Sequence, residues 1–258
     1  MIGVTVNALS GSNETLKSIR VLGRDFKLIE LDVNFLKERE LPEIKKVGQE
    51  MGLRFRIHGP YGGYNLASHD ERIRMMSIEK VLESIEVARF FDSESVNIHP
   101  GYLMLNIDPL FQEAVGGRGL SMMRMMDSLG LIVDRGKDAG IMITVENMAE
   151  TVSLGSRPEE ITEMVKTGCG FCFDSGHAHL TGLMDEFIEK MPEPHYLHIC
   201  DSNGRRDHLP IGKGWIDFRK VLKGMGSKDI ILEVIGSRED VLESRDRVKE
   251  ILERWGNT

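Results

Sequence analysis

The sequence predicts an α/β fold, a single (β/α)8 barrel that spans residues 1–258. Short runs rich in Ile, Val, Leu and Phe recur along the chain, and each is followed by a longer segment with helical spacing of apolar residues. Eight such units in 258 residues match the size of one barrel of this kind. A doubly wound sheet of eight strands would show the same periodicity, so it stays open as the alternative fold.

The predicted elements follow from these runs in chain order. The eight predicted strands are Ile2–Val6, Lys27–Leu31, Phe55–His58, Ser95–His99, Met142–Glu146, Phe171–Asp174, Tyr196–Cys200 and Asp229–Glu233. The predicted helices include Glu14–Leu22, Leu41–Met51, Ile73–Phe91, Leu120–Ala139, Pro158–Thr167, Phe218–Gly224 and Arg238–Trp255. Pro158 suits the first turn of its helix, and Gly140 and Gly168 follow two helix ends directly.

Composition narrows the class of protein. With 41% hydrophobic and 29% charged residues, the chain is typical of a globular protein with a large core. No apolar run approaches the roughly 20 residues that span a bilayer, and residues 1–7 lack the layout of a signal peptide, so we expect a cytoplasmic protein without a membrane partner. The net charge of −8 argues against broad affinity for nucleic acid, although it leaves room for a local basic groove.

Domain organisation is predicted to be simple. No linker, charge block or low-complexity tract divides the chain, so we expect one domain. The segment Pro100–Gly119, with three glycines near its end, is predicted to be a long loop over the active-site face.

Ionisable residues fall at the carboxyl ends of six predicted strands. They are His58, His99, Glu146, Asp174, His198 and Glu233. Because side chains alternate between the two faces of a strand, Thr144 and Glu146 share one face, and the barrel interior is the face expected for this polar set. By the same parity Glu30 faces inward, either as a seventh interior acid or as a partner for Arg56. Buried charges are costly unless they are paired or bind a metal.

A divalent metal site accounts best for this convergence. A single histidine at the end of a strand is more often a structural residue whose hydrogen bonds are made within the protein. Six strands that each end in His, Asp or Glu are poorly explained by packing. His177 and His208 follow strands closely and bring the predicted ligands to eight, enough for two or three ions. Histidine and carboxylate ligands suit Zn²⁺, Mn²⁺ and similar ions. The remaining histidines, His69, His179 and His195, are expected to be surface or supporting residues.

Two glycine- or cysteine-containing motifs carry weaker signals. Cys169 and Cys172 have the spacing of a redox pair, but they lead into a strand, so packing is the expected role. The segment from Ile211 to Trp215 lacks the spacing of a nucleotide-binding P-loop, yet Lys213 and its flanking glycines are candidates for holding a phosphate near His208.

Several short motifs carry a family resemblance. They are His58-Gly-Pro-Tyr61, Asn65-Leu-Ala67, His99-Pro-Gly101, Glu146-Asn147, Phe173-Asp-Ser-Gly-His177, His198-Ile-Cys-Asp201, Leu209-Pro-Ile-Gly-Lys-Gly214 and Leu232-Glu233. Their order resembles that of the xylose isomerase-like TIM-barrel superfamily from about Ile2 to Glu233. Within it, the sequence is most similar to the endonuclease IV branch.

The resemblance implies a zinc-dependent enzyme that cleaves the phosphodiester on the 5′ side of an abasic site in DNA. It implies one zinc ion on His58, His99 and Glu146, a second on Glu146, Asp174, His198 and Glu233, and a third on His177 and His208. Glu146 would bridge two ions, and Glu233 would orient the attacking water. Tyr61 and Asn65 resemble residues that line the nucleic-acid groove.

Two departures from the nuclease pattern are visible. The third zinc of that branch also takes an Asp two residues before the last histidine, where this chain has Arg206, with Asp207 one position later. The segment after the second strand, beginning at Asp32, does not resemble the Arg- and Gln-bearing loop that enters DNA.

Two other functions remain open. Sugar or sugar-phosphate isomerases and epimerases of the same superfamily keep one metal site, equivalent to Glu146, Asp174, His198 and Glu233, and use the two glutamates as acid and base. Their substrate would be a small sugar or phosphate ester. His58 and His99 favour the hydrolase, because single-metal chemistry does not need them. A metal-binding barrel without catalysis is the third alternative, although this sequence lacks none of the core ligands.

Overall fold

The structure is a computed structural model that describes residues 1–9, 14–103, 117–150, 152–225 and 229–255. Eight parallel strands form a closed barrel in chain order. The first and last strands close it through pairs such as Ile2 with Ile230. This closure confirms the predicted (β/α)8 TIM barrel and excludes the doubly wound sheet, whose edges would be open.

The strands lie where the apolar runs predicted them. They are β1 Ile2–Thr5, β2 Leu28–Asp32, β3 Arg54–His58, β4 Ser95–Ile98, β5 Met142–Glu146, β6 Gly170–Asp174, β7 Tyr196–Ile199 and β8 Ile230–Leu232. Each is three to five residues long. His99 and Glu233 therefore lie one residue beyond their strands, still at the carboxyl-terminal rim of the barrel.

Helices separate the strands. The described ones are α1 Thr15–Leu22, α2 Leu41–Met51, α3 Glu71–Phe90, α4 Gly117–Ala139, α5 Pro158–Val165, α6 Ser175–Leu180, α7 Met184–Lys190, α8 Phe218–Met225 and α9 Arg238–Trp255. The two short helices α6 and α7 were not among the predicted ones, since neither is long enough to show a clear apolar period. Of the predicted loop Pro100–Gly119, residues 104–116 lie outside the described residues, and α4 already begins at Gly117.

The apolar core has two parts. A large cluster fills the layer between the barrel and its helices, with residues such as Ile29, Ile57 and Val145 fully buried. A small second cluster of Leu28, Cys172, Tyr196 and Ile231 lies apart from it. Strand parity places these four residues on the interior face of the barrel, so they fill its lower part. Both Cys169 and Cys172 are buried and unoxidised, which agrees with a packing role.

Strand register places the polar residues at one level. Asp32 is paired in register with His58, and Asp174 with His198. Since the carboxyl ends of all eight strands meet at one rim, these neighbours face a common space. None of the described helices is long and apolar enough to cross a membrane.

Candidate metal centre

The predicted ligand residues converge around Glu146 at the carboxyl-terminal rim. Four groups of ligand atoms have members within 4.8 Å of one another, and three of them contain only His, Asp and Glu. These three groups consist of His58, His99 and Glu146; of Glu146, Asp174, His198 and Glu233; and of His177, Asp207 and His208. The fourth, with Glu146, Cys172 and His198, overlaps the second. Glu146 belongs to all but the third group and is 1% exposed, so it lies at the centre of the cluster.

The first group is built from β3, β4 and β5. Nε2 of His58 lies 3.5 Å from Oε2 of Glu146, and Nε2 of His99 lies 3.8 Å from the same oxygen. The other ring nitrogen of His58 faces the carbonyl oxygen of Gly59 at 2.9 Å. Both histidines thus direct Nε2 at one carboxylate oxygen, as two ligands of one ion would.

The second group is built from β5, β6, β7 and the residue after β8. Nδ1 of His198 lies 3.0 Å from Oε2 of Glu233 and 3.4 Å from Oε2 of Glu146. Asp174 contributes a carboxylate that is fully buried. Its Oδ1 accepts a hydrogen bond from the backbone N–H of His177, and this bond caps the start of α6. The other carboxylate oxygen, Oδ2, is left directed at the group.

The third group includes one residue that the predicted ligand set lacks. Nε2 of His177 lies 3.7 Å from Oδ2 of Asp207, and Nε2 of His208 lies 3.8 Å from Oδ1. Asp207 therefore stands where the nuclease pattern has an Asp one residue earlier, and the departure at Arg206 does not remove the carboxylate from this group. His208 has a φ of +53°, in the left-handed region.

Backbone carbonyls orient the histidines of the third group. Nδ1 of His208 faces the carbonyl oxygen of Glu233 at 2.8 Å, and Nδ1 of His177 faces that of Asn147 at 2.8 Å. A partner on one ring nitrogen fixes the orientation in which the other nitrogen faces a ligand site. In both residues that other nitrogen is Nε2, which points towards Asp207.

The charges of the cluster are strongly coupled. Burial lowers the pKa of His58, but the neighbouring carboxylates, Glu146 first, raise it to about 10. Burial raises the pKa of Asp174 to about 7. Burial raises the pKa of Glu146 as well, yet the surrounding histidines, His198 foremost, bring it well below its usual range. His99 differs, since burial dominates and lowers its pKa to about 3.

Five buried atoms of the ligand residues make no hydrogen bond of good geometry within the described residues. They are Nδ1 of His99, Oδ2 of Asp174, Nδ1 and Nε2 of His198 and Oε2 of Glu233. Of these, Nδ1 of His198 and Oε2 of Glu233 have each other as a neighbour, at 3.0 Å. Unpartnered buried polar atoms are rare in proteins and call for an explanation. A donor set of imidazole nitrogens and carboxylate oxygens fits a divalent metal such as Zn²⁺. The residues present therefore suit the metal that the sequence predicts.

Glu30 supports the cluster from below. It is 1% exposed, accepts a hydrogen bond of 3.0 Å from the hydroxyl of Tyr196, and lies 2.9 Å from Nε2 of His198. Of the two roles predicted for it, that of an interior acid agrees with this position. Arg56 instead pairs with Asp229 at 2.7 Å, so its direct partner is not Glu30.

A cavity of about 170 Å³ opens onto the cluster. Its lining residues are Thr5, Asn7, Asp32, His58, Tyr61, His99, His177, His208, Glu233 and Ile235. Tyr61, predicted to bind substrate, stacks on His99 with ring centroids 5.3 Å apart and donates a hydrogen bond to Asp32. Asp32 and Asn7 were absent from the predicted site, although Asp32 shares the inward parity of Glu30.

The other two predicted substrate-binding residues do not line this cavity. The side-chain amide of Asn65 bonds the backbone of Ala67 and Tyr102 and holds the loops after β3 and β4 together. Lys213 forms an ion pair with Asp240 at the start of α9. In the structure these two residues make contacts that hold loops and helix together, and their predicted contacts with substrate or phosphate stay predictions.

Residues 20–255 match the family model of the xylose isomerase-like TIM barrel. The chain belongs to this family. The superfamily resemblance drawn from the sequence motifs is thereby confirmed.

Relatives of this xylose isomerase-like barrel fall into more than one branch. It is 31% identical over 233 residues to an uncharacterized protein of Methanocaldococcus jannaschii, covering 85% of this chain and 77% of that protein. It is 25% identical over 224 residues to a probable endonuclease 4 of Campylobacter fetus subsp. fetus, covering 74% and 76%. A solved structure of a D-tagatose 3-epimerase-like protein superimposes with a TM-score of 0.85 at 29% identity, covering 99% and 98%. Members of the superfamily are enzymes, both nucleases and epimerases.

Proposed function

We propose that this protein is a metal-dependent hydrolase, similar to endonuclease IV, that cleaves a phosphodiester at an abasic site in DNA or in a related phosphate ester. Two or three zinc ions would be held by the three ligand groups, with Mn²⁺ or another divalent metal as the alternative occupant. The supporting observation is that three ligand groups adjoin one another around a single buried carboxylate, Glu146.

Two of the three ligand groups have no use in single-metal chemistry. An isomerase site would need Glu146, Asp174, His198 and Glu233 alone. Here His58 and His99 complete a second group, and His177, Asp207 and His208 form a third. His58 and His177 are buried among acids, an arrangement that is costly without a cation or proton to balance it. Two further complete groups are more than packing or sugar binding requires.

The chain's own residues would position and activate the reactants. Bound zinc would supply a water of lowered pKa and would offset the negative charge of the phosphate. Glu146 would connect two of the groups. Glu233 lines the cavity, and although burial raises its pKa, the neighbouring histidines, His198 first, bring it well below its usual range. Its carboxylate is therefore ionised and would orient water as a hydrogen-bond acceptor. Tyr61 covers His99 and limits solvent access from one side.

Epimerisation or isomerisation of a small sugar or sugar phosphate is the second candidate. The observation that favours it is the match to the D-tagatose 3-epimerase-like structure over nearly the whole chain at 29% identity. Glu146 and Glu233 would then act as acid and base on the carbon next to a carbonyl, with one metal. Both residues are present and face the same group, so this chemistry needs no residue that the chain lacks.

Substrate assays separate the two candidates. The proposed hydrolase would nick an abasic duplex in a reaction that chelators abolish, and nicking would weaken with salt because phosphate contacts release counterions. A metal-replete protein that leaves this duplex intact but exchanges the C3 or C2 proton of a ketose in D₂O would establish the epimerase instead. A replete protein active in neither assay would support a metal-binding barrel without catalysis.

The variant His99→Ala tests the number of metals directly. We expect it to lose one metal equivalent and nearly all hydrolysis, because the first group would lose a ligand that faces Glu146. His69→Ala is the matched control, since His69 contacts Ser121 and lies outside all three groups. Wild-type metal content in His99→Ala, measured by elemental analysis, would contradict the multinuclear proposal whatever happens to activity.

A further inference from the structure

Trp215 is the most exposed of the large hydrophobic side chains described, at 74%. It lies in the loop between β7 and α8, the same loop that supplies Asp207 and His208 to the third ligand group. Singly exposed apolar side chains are common on protein surfaces, but tryptophan is enriched at interfaces, so this ring is a candidate contact for a ligand.

Hydrogen bonds anchor the backbone that carries the indole. The backbone N–H of Trp215 donates a 2.8 Å hydrogen bond to the carbonyl of Ser202. The residues on either side, Gly214 and Ile216, donate theirs to the buried carboxylate of Asp201. The ring packs over Gly204, where an added Cβ would lie 3.3 Å from it. A fixed aromatic face is a better stacking surface than a mobile one, because binding then orders fewer bonds.

Two arginines accompany the indole. Arg205 and Arg206 follow Gly204 directly, and the side chain of Asn203 accepts hydrogen bonds from both of their backbone N–H groups. Both side chains are exposed, and neither guanidinium has an ion-pair partner in the part of the chain that the structure describes. In a protein with a net charge of −8, this turn therefore presents two free positive charges beside an aromatic ring.

This surface is close to the ligand groups. Gly204, beneath the ring, is three residues from Asp207, which limits their separation to about 10 Å of extended chain. A strand with its scissile phosphodiester at the metal centre would have its neighbouring nucleotides within reach of this turn. Nucleic acid offers flat bases for an indole and phosphates for guanidinium groups at such spacing.

We infer that Trp215, Arg205 and Arg206 form a binding surface for a nucleic-acid strand, with a base stacked on the indole and neighbouring phosphates paired with the two arginines. The inference rests on the proposed function, because the strand is the one whose phosphodiester lies at the metal centre. It adds a place for the substrate outside the cavity and identifies the β7–α8 loop as a determinant of substrate choice.

Fluorescence tests the stacking without any turnover. The chain has two tryptophans, so Trp255→Phe leaves Trp215 as the single indole fluorophore. We expect oligothymidylate of about 12 nucleotides to quench this emission saturably, because bases stack on exposed indoles. A ketose at millimolar concentration is the comparison probe. Quenching by the ketose alone, or by neither probe, would overturn the inference.

A double variant tests the two arginines. Arg205→Ala/Arg206→Ala should weaken oligothymidylate binding about tenfold and reduce the steepness of its salt dependence, since fewer counterions are displaced. The control Arg135→Ala/Lys249→Ala removes the same charge from exposed positions late in α4 and α9, at the opposite end of the barrel. Equal loss of binding in the control would show a general charge effect and would overturn the assigned surface.

Kinetics separate failure of this surface from failure of the proposed function. In Trp215→Ala we expect the KM for an abasic duplex to rise about tenfold, while hydrolysis of bis(p-nitrophenyl) phosphate, too small to reach the indole, stays at the wild-type rate. An unchanged KM would overturn the surface alone. If the metal-replete wild type hydrolyses neither substrate while oligothymidylate still quenches Trp215, the hydrolase proposal fails and the binding surface stands.

Discussion

Glu146 shows how one residue can organise a whole site. Its carboxylate lies at the end of β5, within 3.1 to 3.8 Å of ring nitrogens from His58, His99, His177 and His198. Those histidines come from four different segments, so their approach depends on this one acid as a shared partner. In the metal-free chain it offsets the positive charge of His58, His177 and His198, whose pKa values the surrounding acids raise despite burial, and with metal bound it would connect two ions.

Glu146→Gln is expected to lose metal from the first and second groups while the barrel stays folded. The amide keeps the shape of the side chain but offers only one weak, uncharged oxygen ligand. Metal content by elemental analysis and secondary structure by circular dichroism would be measured together. Glu163→Gln, on the exposed face of α5, is the matched control and should keep the wild-type metal content. An unchanged metal count in Glu146→Gln would contradict the bridging role.

Metal uptake is expected to release protons near neutral pH. The acidic neighbours raise the pKa of His58 to about 10 despite its burial, and burial raises that of Asp174 to about 7. At pH 7 the metal-free protein therefore holds a proton on His58 and part of one on Asp174, and a metal must displace them. Affinity should rise with pH from about 6 to 10.

Calorimetric titration with zinc in buffers of different ionisation enthalpy measures this release. More than one proton per protein should be displaced at pH 7. Glu146→Gln, which should bind zinc at the third group alone, should displace fewer protons, because His58 and Asp174 then hold no metal. Zinc binding with no proton release at pH 7 would show that the histidines are already neutral in the metal-free protein.

At the scale of elements, the short helices behave differently from the long ones. α6 begins where Asp174 caps it, and polar contacts replace an apolar stripe. His177 joins the third ligand group, while Ser175 and His179 hydrogen-bond Cys200 and Ser202 after β7. α7 is attached by a single fully buried residue, Phe187, which stacks near Phe171 and Phe173 with ring centroids 6.5 and 6.2 Å away. Such segments depend on tertiary contacts more than on periodicity.

Phe187→Ala should therefore destabilise the protein strongly. Removing a fully buried aromatic ring typically costs about 3 to 5 kcal/mol in free energy of unfolding. Leu131→Ala, at a position 51% exposed on α4, is the control, and its loss should stay below about 1 kcal/mol. Urea denaturation of both variants with metal present would measure the two losses. Equal losses would mean that α7 contributes little to the core.

At the scale of the whole molecule, metal and barrel should stabilise each other. The proposed ligands come from six of the eight strands or the residues just after them, so ions bound there would join segments far apart in sequence. A ligand that binds the folded state alone, at a thousand times its Kd, adds about 4 kcal/mol of stability. For a domain of this size that corresponds to roughly 10 °C in Tm.

Chelation should accordingly lower the Tm by about that amount, and added zinc should restore it. Calorimetry on replete, chelated and reconstituted protein would show this. Glu146→Gln should respond much less to the chelator, which separates loss of bound metal from a direct effect of the chelator on the fold. Identical Tm values in replete and chelated wild type would contradict a metal bound across the barrel.

The sequence by itself determined the barrel and most of the candidate ligands. Alternation of apolar runs with helical segments predicted all eight strands, since burying both faces of a parallel strand demands such runs. Parity within each strand predicted which ionisable residues face inward. Both signals are local, so they can be read without knowing how the chain closes.

Only the tertiary structure decided which loop residues join the site. Asp207 enters the third group, while Asn65 and Lys213 turn to backbone and ion-pair partners elsewhere. Residues outside strands have no fixed periodicity, so their side-chain directions depend on turns such as the one at His208, with its φ of +53°. The pairing of Glu30 with His198 likewise crosses the barrel interior, and contacts between distant strands exist only once the sheet has closed.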